Sequence, residues 1–209
     1  MKAKQILVLI VSVVLLSACG NSLQRAERTV GLIQDHVTAI IGKISEIQNQ
    51  EADIQANFEA TIKASEDLSA FNQADSPIEA NVQKRQALLD EIDDHRKQLI
   101  DLADELGDIP QHKDLPQDQM KMVMDYVTNL TGDLDQYVAR YQANLKTEAI
   151  TYKSIANPAT NHESFFKVFD NVNLLYTENN MNLDKVLVHF ESLNHLLVNL
   201  KVYLVNLHQ

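Results

Sequence analysis

The chain has 209 residues, with 18 lysines and arginines against 29 aspartates and glutamates, giving a formal net charge of −11 at pH 7. A surface this acidic, with no basic patch, repels nucleic acid and anionic lipid headgroups, which argues against nucleic-acid binding. Five glycines, four prolines and no tryptophan favour long helices over a β-sandwich or a parallel α/β sheet.

The amino-terminal segment has the layout of a secretory signal. Two lysines precede an apolar run over residues 6–16, and small residues follow it. The apolar run is too short to span a bilayer as a helix, which takes about 20 apolar residues. Residues 16–19 resemble the lipobox of bacterial lipoproteins, in which the thiol receives a diacylglyceryl group and the chain is cut before it: Leu16, Ser17, Ala18 and Cys19.

Cys19 is the only cysteine of the chain. It could simply end a hydrophobic core helix, but a free thiol is unusual in an exported protein, and acylation removes that anomaly. We therefore predict a signal peptide over residues 1–18 and lipidation, by fatty acids such as palmitate, at Cys19. The mature domain, residues 19–209, would have a net charge near −13. It would be anchored to the cell membrane, facing the extracytoplasmic side, because several acyl chains together hold a protein stably.

The first predicted helix covers residues 22–73. Its apolar residues recur with alternating gaps of three and four, which is the seam of a coiled coil or tight bundle. The unbroken part of that seam consists of Leu23, Ala26, Val30, Ile33, Val37, Ile40, Ile44 and Ile47. The second helix is predicted over 77–106, because Ser76 can cap it, Pro77 fits its first position and Glu79 completes a capping box.

The third helix is predicted over 116–156 and the fourth over 161–208, the latter beginning with a capping box from Thr160 to Glu163. Asn179 interrupts the fourth apolar seam among poor helix formers, so it either fixes the register or marks a kink or break. The fold class is all-α. Short connections favour an elongated bundle of about four long antiparallel helices, or tandem overlapping three-helix bundles, standing as a rod off the membrane.

Two arginines, Arg85 and Arg96, fall on seam positions of the second helix and would need partners if buried. The register of the third helix places Glu148 near its seam, where it can serve as such a partner. One interpretation is a ligand-facing polar layer. The interpretation that we favour places both arginines at the edge of the bundle, with their charges reaching water.

A stripe of tyrosines lies within about 80° on the third helix. Aromatic stripes can stack on sugar rings, as a ligand site for wall glycan requires. At this spacing we favour the core interpretation, with hydroxyl groups reaching the edge of the packed region. The stripe consists of Tyr126, Tyr137, Tyr141 and Tyr152.

The sequence contains no recognisable catalytic constellation. A serine nucleophile requires a strained turn and an adjacent base, and no Gly-x-Ser-x-Gly occurs. Glu91 and His95 are one helical turn apart and could share a metal, but such pairs are common on solvated faces. We predict no catalytic residue, no metal site and no cofactor.

The carboxyl-terminal half contains Glu148-x-x-x-Tyr152-x-Ser154-Ile155, followed by Phe165, Phe169, Asn173, Tyr176, Asn179 and Phe190. Together with the lipobox and the length, this pattern resembles the YkyA-like cell-wall-binding lipoproteins of Gram-positive bacteria. The resemblance implies an exported, helical, membrane-anchored protein that faces the wall. Descriptions of the family also mention hydrolase character, but no residue of this chain supports a hydrolase role.

The leading hypothesis is a non-enzymatic surface lipoprotein whose helical rod binds peptidoglycan or a wall-associated protein. Because an acidic rod matches anionic wall polymers poorly, wall binding would depend on hydrogen bonding or bridging cations. The first alternative is a scaffold or adaptor for other exported or membrane proteins, which would pair with unfinished seams. The second is a cell-wall hydrolase.

Overall fold

The computed structural model describes residues 2–207, with side chains for residues 22–161 and 163–207. This part of the chain contains helices and connections but no strand, which confirms the all-α fold class. Two short 3-10 helices cover Ser69–Asn72 and Ser154–Ala156. The five α-helices are α1 (Lys2–Ala52), α2 (Ile54–Ala64), α3 (Pro77–Gly107), α4 (Gln117–Lys153) and α5 (His162–Asn206).

Four of these helices form one antiparallel bundle in which α1 packs on α3, α3 on α4, α4 on α5, and α5 back on α1. Polar contacts between neighbouring helices show the antiparallel direction, because a later residue on one helix contacts an earlier residue on the other. From α3 to α4, Arg85 meets Glu148 and Arg96 meets Asp135. The closed ring of contacts favours the single bundle over tandem three-helix units.

The heptad seam of α1 faces the interior of this bundle. The eight seam positions are buried except Leu23, which is half-buried against the core. Burying a Val or Ile side chain stabilises a fold by roughly 1.5–3 kcal/mol, so the seam alone accounts for much of the packing of α1. The fully packed members are Ala26, Val30, Ile33, Val37, Ile40, Ile44 and Ile47.

The first predicted helix, 22–73, is wrong as one continuous element. α1 ends at Ala52, and the separate helix α2 begins at Ile54 after Asp53, whose backbone angles of −83° and −6° remain close to helical. A second interruption lies at Leu68, the only described non-glycine residue with a positive φ, of 62°. Neither break carries a glycine or proline, which is why hydrophobic periodicity alone overlooks them.

The starts of α3 and α5 follow local capping chemistry, with one correction to the prediction. Ser76 accepts a hydrogen bond from the backbone N–H of Glu79 at 3.4 Å, as predicted for α3. The capping box of α5 is formed by Asn161 and Ser164 rather than by Thr160 and Glu163. Asn161 Oδ1 accepts from the Ser164 N–H at 2.9 Å, and Ser164 Oγ accepts from the Asn161 N–H at 2.8 Å.

Asn179 does not break α5, which is continuous from His162 to Asn206. Its side chain is 2 % exposed, and its Oδ1 accepts a hydrogen bond from Asn144 Nδ2 on α4 at 2.9 Å. This polar contact within an apolar interface agrees with the register interpretation, because a one-turn slip of α5 against α4 would separate the two amides.

Across the described residues, no helix combines the length and the apolar character needed to cross a membrane. The predicted signal peptide and the side chains of Leu16, Ser17, Ala18 and Cys19 lie outside the described side chains.

Candidate ligand groove

An aromatic groove lies between α2, with the last turn of α1, and the amino-terminal half of α5. It has a cavity volume of about 640 Å³. Both walls come from the end of the bundle that is far from the amino terminus. Ala52, the last residue of α1, is 30 residues beyond Ser22, or about 45 Å along the helix at 1.5 Å per residue. The aromatic side chains that line the groove are Phe58, Tyr152, Phe165, Phe166, Phe169 and Tyr176.

Phe58 on α2 is the centre of this aromatic cluster. Its ring centroid lies 5.0 Å from that of Phe169, 6.0 Å from Phe165 and 6.0 Å from Tyr152. Its ring also packs on that of Phe71, with the centroids 5.1 Å apart. The tilted and edge-on arrangements match the preference of aromatic quadrupoles, so α2 is held against α4 and α5 mainly by ring contacts.

The rings differ in how far they reach into solvent. Phe58 is 6 % exposed and belongs to the core, whereas Phe169 is 38 % and Phe166 62 % exposed. Clustered exposed rings beside an apolar concavity make this surface a candidate interaction site. The groove therefore has a fixed inner wall and an outer rim of accessible rings.

A buried ion pair lies beneath the inner wall. Arg85 on α3 donates from Nη2 to Glu148 Oε1 at 2.6 Å and from Nη1 to Glu148 Oε2 at 2.9 Å, in the parallel geometry that guanidinium and carboxylate groups favour. Both side chains are 0–1 % exposed. Arg85 Nε donates to Asn81 Oδ1 at 2.9 Å, so the guanidinium is held from three directions.

The favoured sequence interpretation of Arg85, an edge residue whose charge reaches water, is wrong because α4 and α5 cover it. Burial opposes the charge of Arg85, but the hydrogen bonds and the charge of Glu148 more than compensate, and its pKa is raised above the ordinary value. Arg96 has that edge position instead. Its side chain is 15 % exposed and pairs with Asp93 at 2.7 Å and Asp135 at 3.2 Å.

Tyrosine hydroxyls connect the ion pair to the groove. Tyr176, which lines the groove, donates to Glu148 Oε1 at 2.8 Å, and the Tyr152 hydroxyl lies 3.3 Å from that of Tyr176. Burial raises the pKa of both phenols, with the Glu148 charge adding to the effect, so both remain protonated donors. Because Tyr176 uses its proton on Glu148, Tyr152 is the donor between the two phenols.

A second carboxylate, Glu51, forms part of the groove wall itself. The Tyr141 hydroxyl donates to Glu51 Oε1 at 2.6 Å, and the same hydroxyl accepts from Arg85 Nη1 at 3.2 Å. Burial raises the pKa of Glu51 above its ordinary value, although the Tyr141 hydrogen bond and the Arg85 charge act in the opposite direction. Glu51 is thus a half-buried acid whose direct polar partner is neutral.

The tyrosine stripe divides between core and groove. Tyr137 and Tyr141 are 1 % exposed and pack edge-on at 5.7 Å, and Tyr152 is 3 % exposed, so these three rings are closed to sugar stacking. Tyr126 is half-buried against the core. The structure places Arg85, Glu148, Tyr141 and Tyr152 in one network, while Arg96 and Tyr126 lie outside it.

No group of three or more potential metal ligands occurs among the described residues. Glu91, one half of the pair considered for a metal, instead contacts Lys43 at 2.8 Å. Its neighbour His95 faces His36, with the two Nδ1 atoms 2.9 Å apart across the α1–α3 interface.

The groove itself is not predictable from the apolar seams. Phe166 is off the α5 seam, and Phe58 lies on α2, beyond the break at Asp53. The available signal is the aromatic cluster at residues 165, 166 and 169, three phenylalanines within five residues of a chain that has six in total.

One comparison with known proteins gives a match. The YkyA family model, described as "Putative cell-wall binding lipoprotein", matches residues 31–200, which include every side chain named in the groove. No curated protein and no solved structure matches the chain.

Proposed function

Because the chain belongs to the YkyA family of cell-wall binding lipoproteins, we propose that it is a lipid-anchored, non-enzymatic surface protein whose distal groove binds the wall or a wall-associated protein. In this proposal Cys19 carries the anchor, and the bundle bridges the space between membrane and wall. The observation that carries the proposal is the groove: a concave aromatic surface of about 640 Å³ with exposed rings at its rim.

The position of the groove supports this role. Its walls come from the end of the bundle opposite residue 22, about 45 Å along α1 from that residue. A protein held at Cys19 would therefore direct the groove away from the membrane. The direction matters because a binding surface next to the bilayer would be out of reach of the wall.

The chemistry of the lining favours holding a ligand over transforming one. Six aromatic rings and several aliphatic side chains form most of the wall, with a few polar groups among them. Such sites bind by apolar burial and use their few polar groups for orientation. We therefore place binding ahead of hydrolysis, and a zymogram with purified wall substrate tests that order: a cleared band would reverse it.

The test of wall binding is co-sedimentation of the full chain, purified in detergent, with isolated wall sacculi. Phe166→Ala is the groove variant, because this exposed ring can be removed with little effect on packing. Leu187→Ala is the matched control, since Leu187 is 43 % exposed on the same helix but outside the groove. We expect Phe166→Ala to lower retention and Leu187→Ala to leave it unchanged. No retention of the parent chain over a range of salt and divalent cation would remove wall binding.

A specific surface feature favours a second candidate, a scaffold for other exported proteins. Four apolar side chains lie exposed on α5 at multiples of seven residues: Leu174, Met181, Val188 and Val202, which are 70 %, 64 %, 69 % and 55 % exposed. A stripe with this spacing is suited to a partner helix. Crosslinking that captures one exported partner through Val188, with no affinity of the chain for sacculi, would favour the scaffold.

A further inference from the structure

The charged side chains that line the groove are all acidic. Its lining includes two carboxylates, Glu51 and Glu59, and among the described residues no lysine, arginine or histidine lines it. The remaining polar groups are neutral amides and phenols. A ligand with a positive charge would therefore meet a complementary surface, whereas an anionic polymer would be repelled.

Glu51 is the more buried of these two acids. The nearest cation of the network, Arg85, is committed to Glu148 through two parallel hydrogen bonds, and to Asn81 and Tyr141 through others. Within the described part of the chain, Glu51 forms no ion pair, and its hydrogen bond comes from the neutral Tyr141 hydroxyl. A half-buried carboxylate with this environment gains more from an incoming ammonium group than an exposed one does, because less water screens the pair.

The aromatic walls suit the same ligand. The rings of Phe165 and Phe169 are 5.7 Å apart, and each packs near Phe58, so together they present a continuous aromatic surface in the same groove that Glu51 lines. Phenyl faces attract cations, and they also cover the aliphatic stem that carries an amine. Asn173 and Gln55, also in the lining, can exchange hydrogen bonds with peptide amides.

We propose that the groove binds a short peptide with a free primary amine, whose ammonium group pairs with Glu51 and whose aliphatic stem lies on Phe165 and Phe169. This inference rests on the proposed function. It specifies that the part of the wall bound by the groove is a peptide with a free amine. Neutral glycan and anionic polymer are the competing ligands.

The first experiment uses defined peptides and does not depend on the wall. Titration calorimetry compares the tripeptide acetyl-Ala-Lys-Ala-amide with the same peptide acetylated at the lysine Nε. We expect the free amine to bind about tenfold more tightly or better, which is the scale of one partly desolvated charge pair with cation–π support. Equal affinity of the two peptides, or no binding of either, would overturn the inference.

Two variants locate the effect in the groove. Glu51→Gln keeps an acceptor for the Tyr141 hydroxyl and removes the charge, so it should bind the free-amine peptide about tenfold more weakly and discriminate poorly between the two peptides. Glu66→Gln removes one charge from an exposed side chain outside the groove and should behave as the parent. If both variants weaken binding equally, the effect comes from net charge, and the groove is not the site.

The second experiment separates this inference from the proposed function. Sacculi are treated with acetic anhydride to cap their free amines and compared with untreated sacculi in sedimentation. Binding to untreated but not to acetylated sacculi supports both statements. Equal binding to both leaves wall binding intact and refutes amine recognition, whereas no binding to untreated sacculi refutes wall binding and leaves the peptide titration to decide on the groove.

Discussion

The Tyr176 hydroxyl donates a 2.8 Å hydrogen bond to Glu148 Oε1, the same carboxylate oxygen that accepts from Arg85 Nη2 at 2.6 Å. One groove residue is thereby tied to the only ion pair among the described residues in which both side chains are fully buried. The groove wall at Tyr176 is fixed by this contact, which joins α5 to α3 through a side chain of α4.

Removing one member of the buried ion pair should be strongly destabilising. Arg85→Met leaves Glu148 charged and buried without its cation, and such changes cost about 3–5 kcal/mol. The double variant Arg85→Met, Glu148→Met removes both charges and should recover much of that loss. Chemical denaturation monitored by circular dichroism measures each free energy of unfolding. Lys121→Met, which breaks an exposed pair with Asp125, serves as control and should have little effect.

The two phenols of the network should contribute unequally. Tyr176→Phe removes a 2.8 Å hydrogen bond to a charged acceptor and should cost about 1.5–3 kcal/mol. Tyr152→Phe removes a 3.3 Å contact to a neutral hydroxyl and should cost about 0.5–1.5 kcal/mol. In the double variant the two costs should not add, because the Tyr152 contact depends on the Tyr176 hydroxyl. Additive costs would mean that the phenols act independently.

Substituting a ring of the inner wall should lower stability, whereas substituting a ring of the rim should lower binding. Phe58 is buried among four other aromatic rings, so Phe58→Ala should lower the free energy of unfolding by about 3–5 kcal/mol. Phe166→Ala changes an exposed ring and should stay within about 0.5 kcal/mol of the parent, while retention by sacculi falls. Thermal unfolding gives the first quantity and sedimentation the second. A rim variant that unfolds as easily as Phe58→Ala would contradict this division.

Lipid attachment is tested at Cys19, the only thiol of the chain. Metabolic labelling with a clickable fatty acid should mark the parent chain and leave Cys19→Ala unmarked, with the variant released from the membrane fraction. Arg25→Ala, near the anchor but outside the lipobox, should be labelled as the parent is. An unlabelled parent chain with its thiol intact would refute both the anchor and the assigned location.

The paired imidazoles at the α1–α3 interface predict a pH effect on stability. Burial, and after it the charge of His95, lowers the pKa of His36, while Asp35 acts in the opposite direction. The folded state therefore resists protonation of His36 more than the unfolded chain does. Stability should fall as the pH drops from about 6.5, the unfolded value, through the lower folded pKa.

His36→Gln should weaken this pH dependence, since glutamine keeps polar contact with His95 without taking up a proton. His195→Gln, on the exposed face of α5, is the matched control. Unfolding midpoints measured between pH 7.5 and pH 5 compare the three chains. Parallel curves for the parent and His36→Gln would place the origin of any acid sensitivity elsewhere.

Hydrophobic spacing and capping signals were sufficient to predict α3, α4, α5 and the buried face of α1, but not the division of residues 22–73 into separate elements. The alternation of three and four residues in α1 leaves one face for Ile33, Ile40 and Ile47, and that face is buried with no exceptions beyond the half-buried Leu23. Such spacing reports only which residues share a side of one helix. It does not report how many neighbours cover that side, and for this reason the burial of Arg85 was misjudged.

The groove depended on two features that single-helix periodicity does not contain. The break at Asp53 keeps nearly helical backbone angles, so no residue preference marks it. The meeting of α2 with the first turns of α5 joins residues about 110 positions apart in the chain, such as Phe58 and Phe169. Glu148 could be predicted as a partner for Arg85 because both residues lie near apolar seams. This is the one long-range contact that helical register could suggest.

The uninterrupted course of α1 from Ser22 to Ala52 has a mechanical consequence. Because four helices run side by side, the number of helical turns sets the distance along the bundle between residue 22 and the groove. Deleting one heptad from each of the four helices would lower it by about 10 Å without changing its lining. Within the proposed function, bundle length would set the reach and the groove lining the recognition, and a series of shortened and lengthened bundles would measure the distance between membrane and wall.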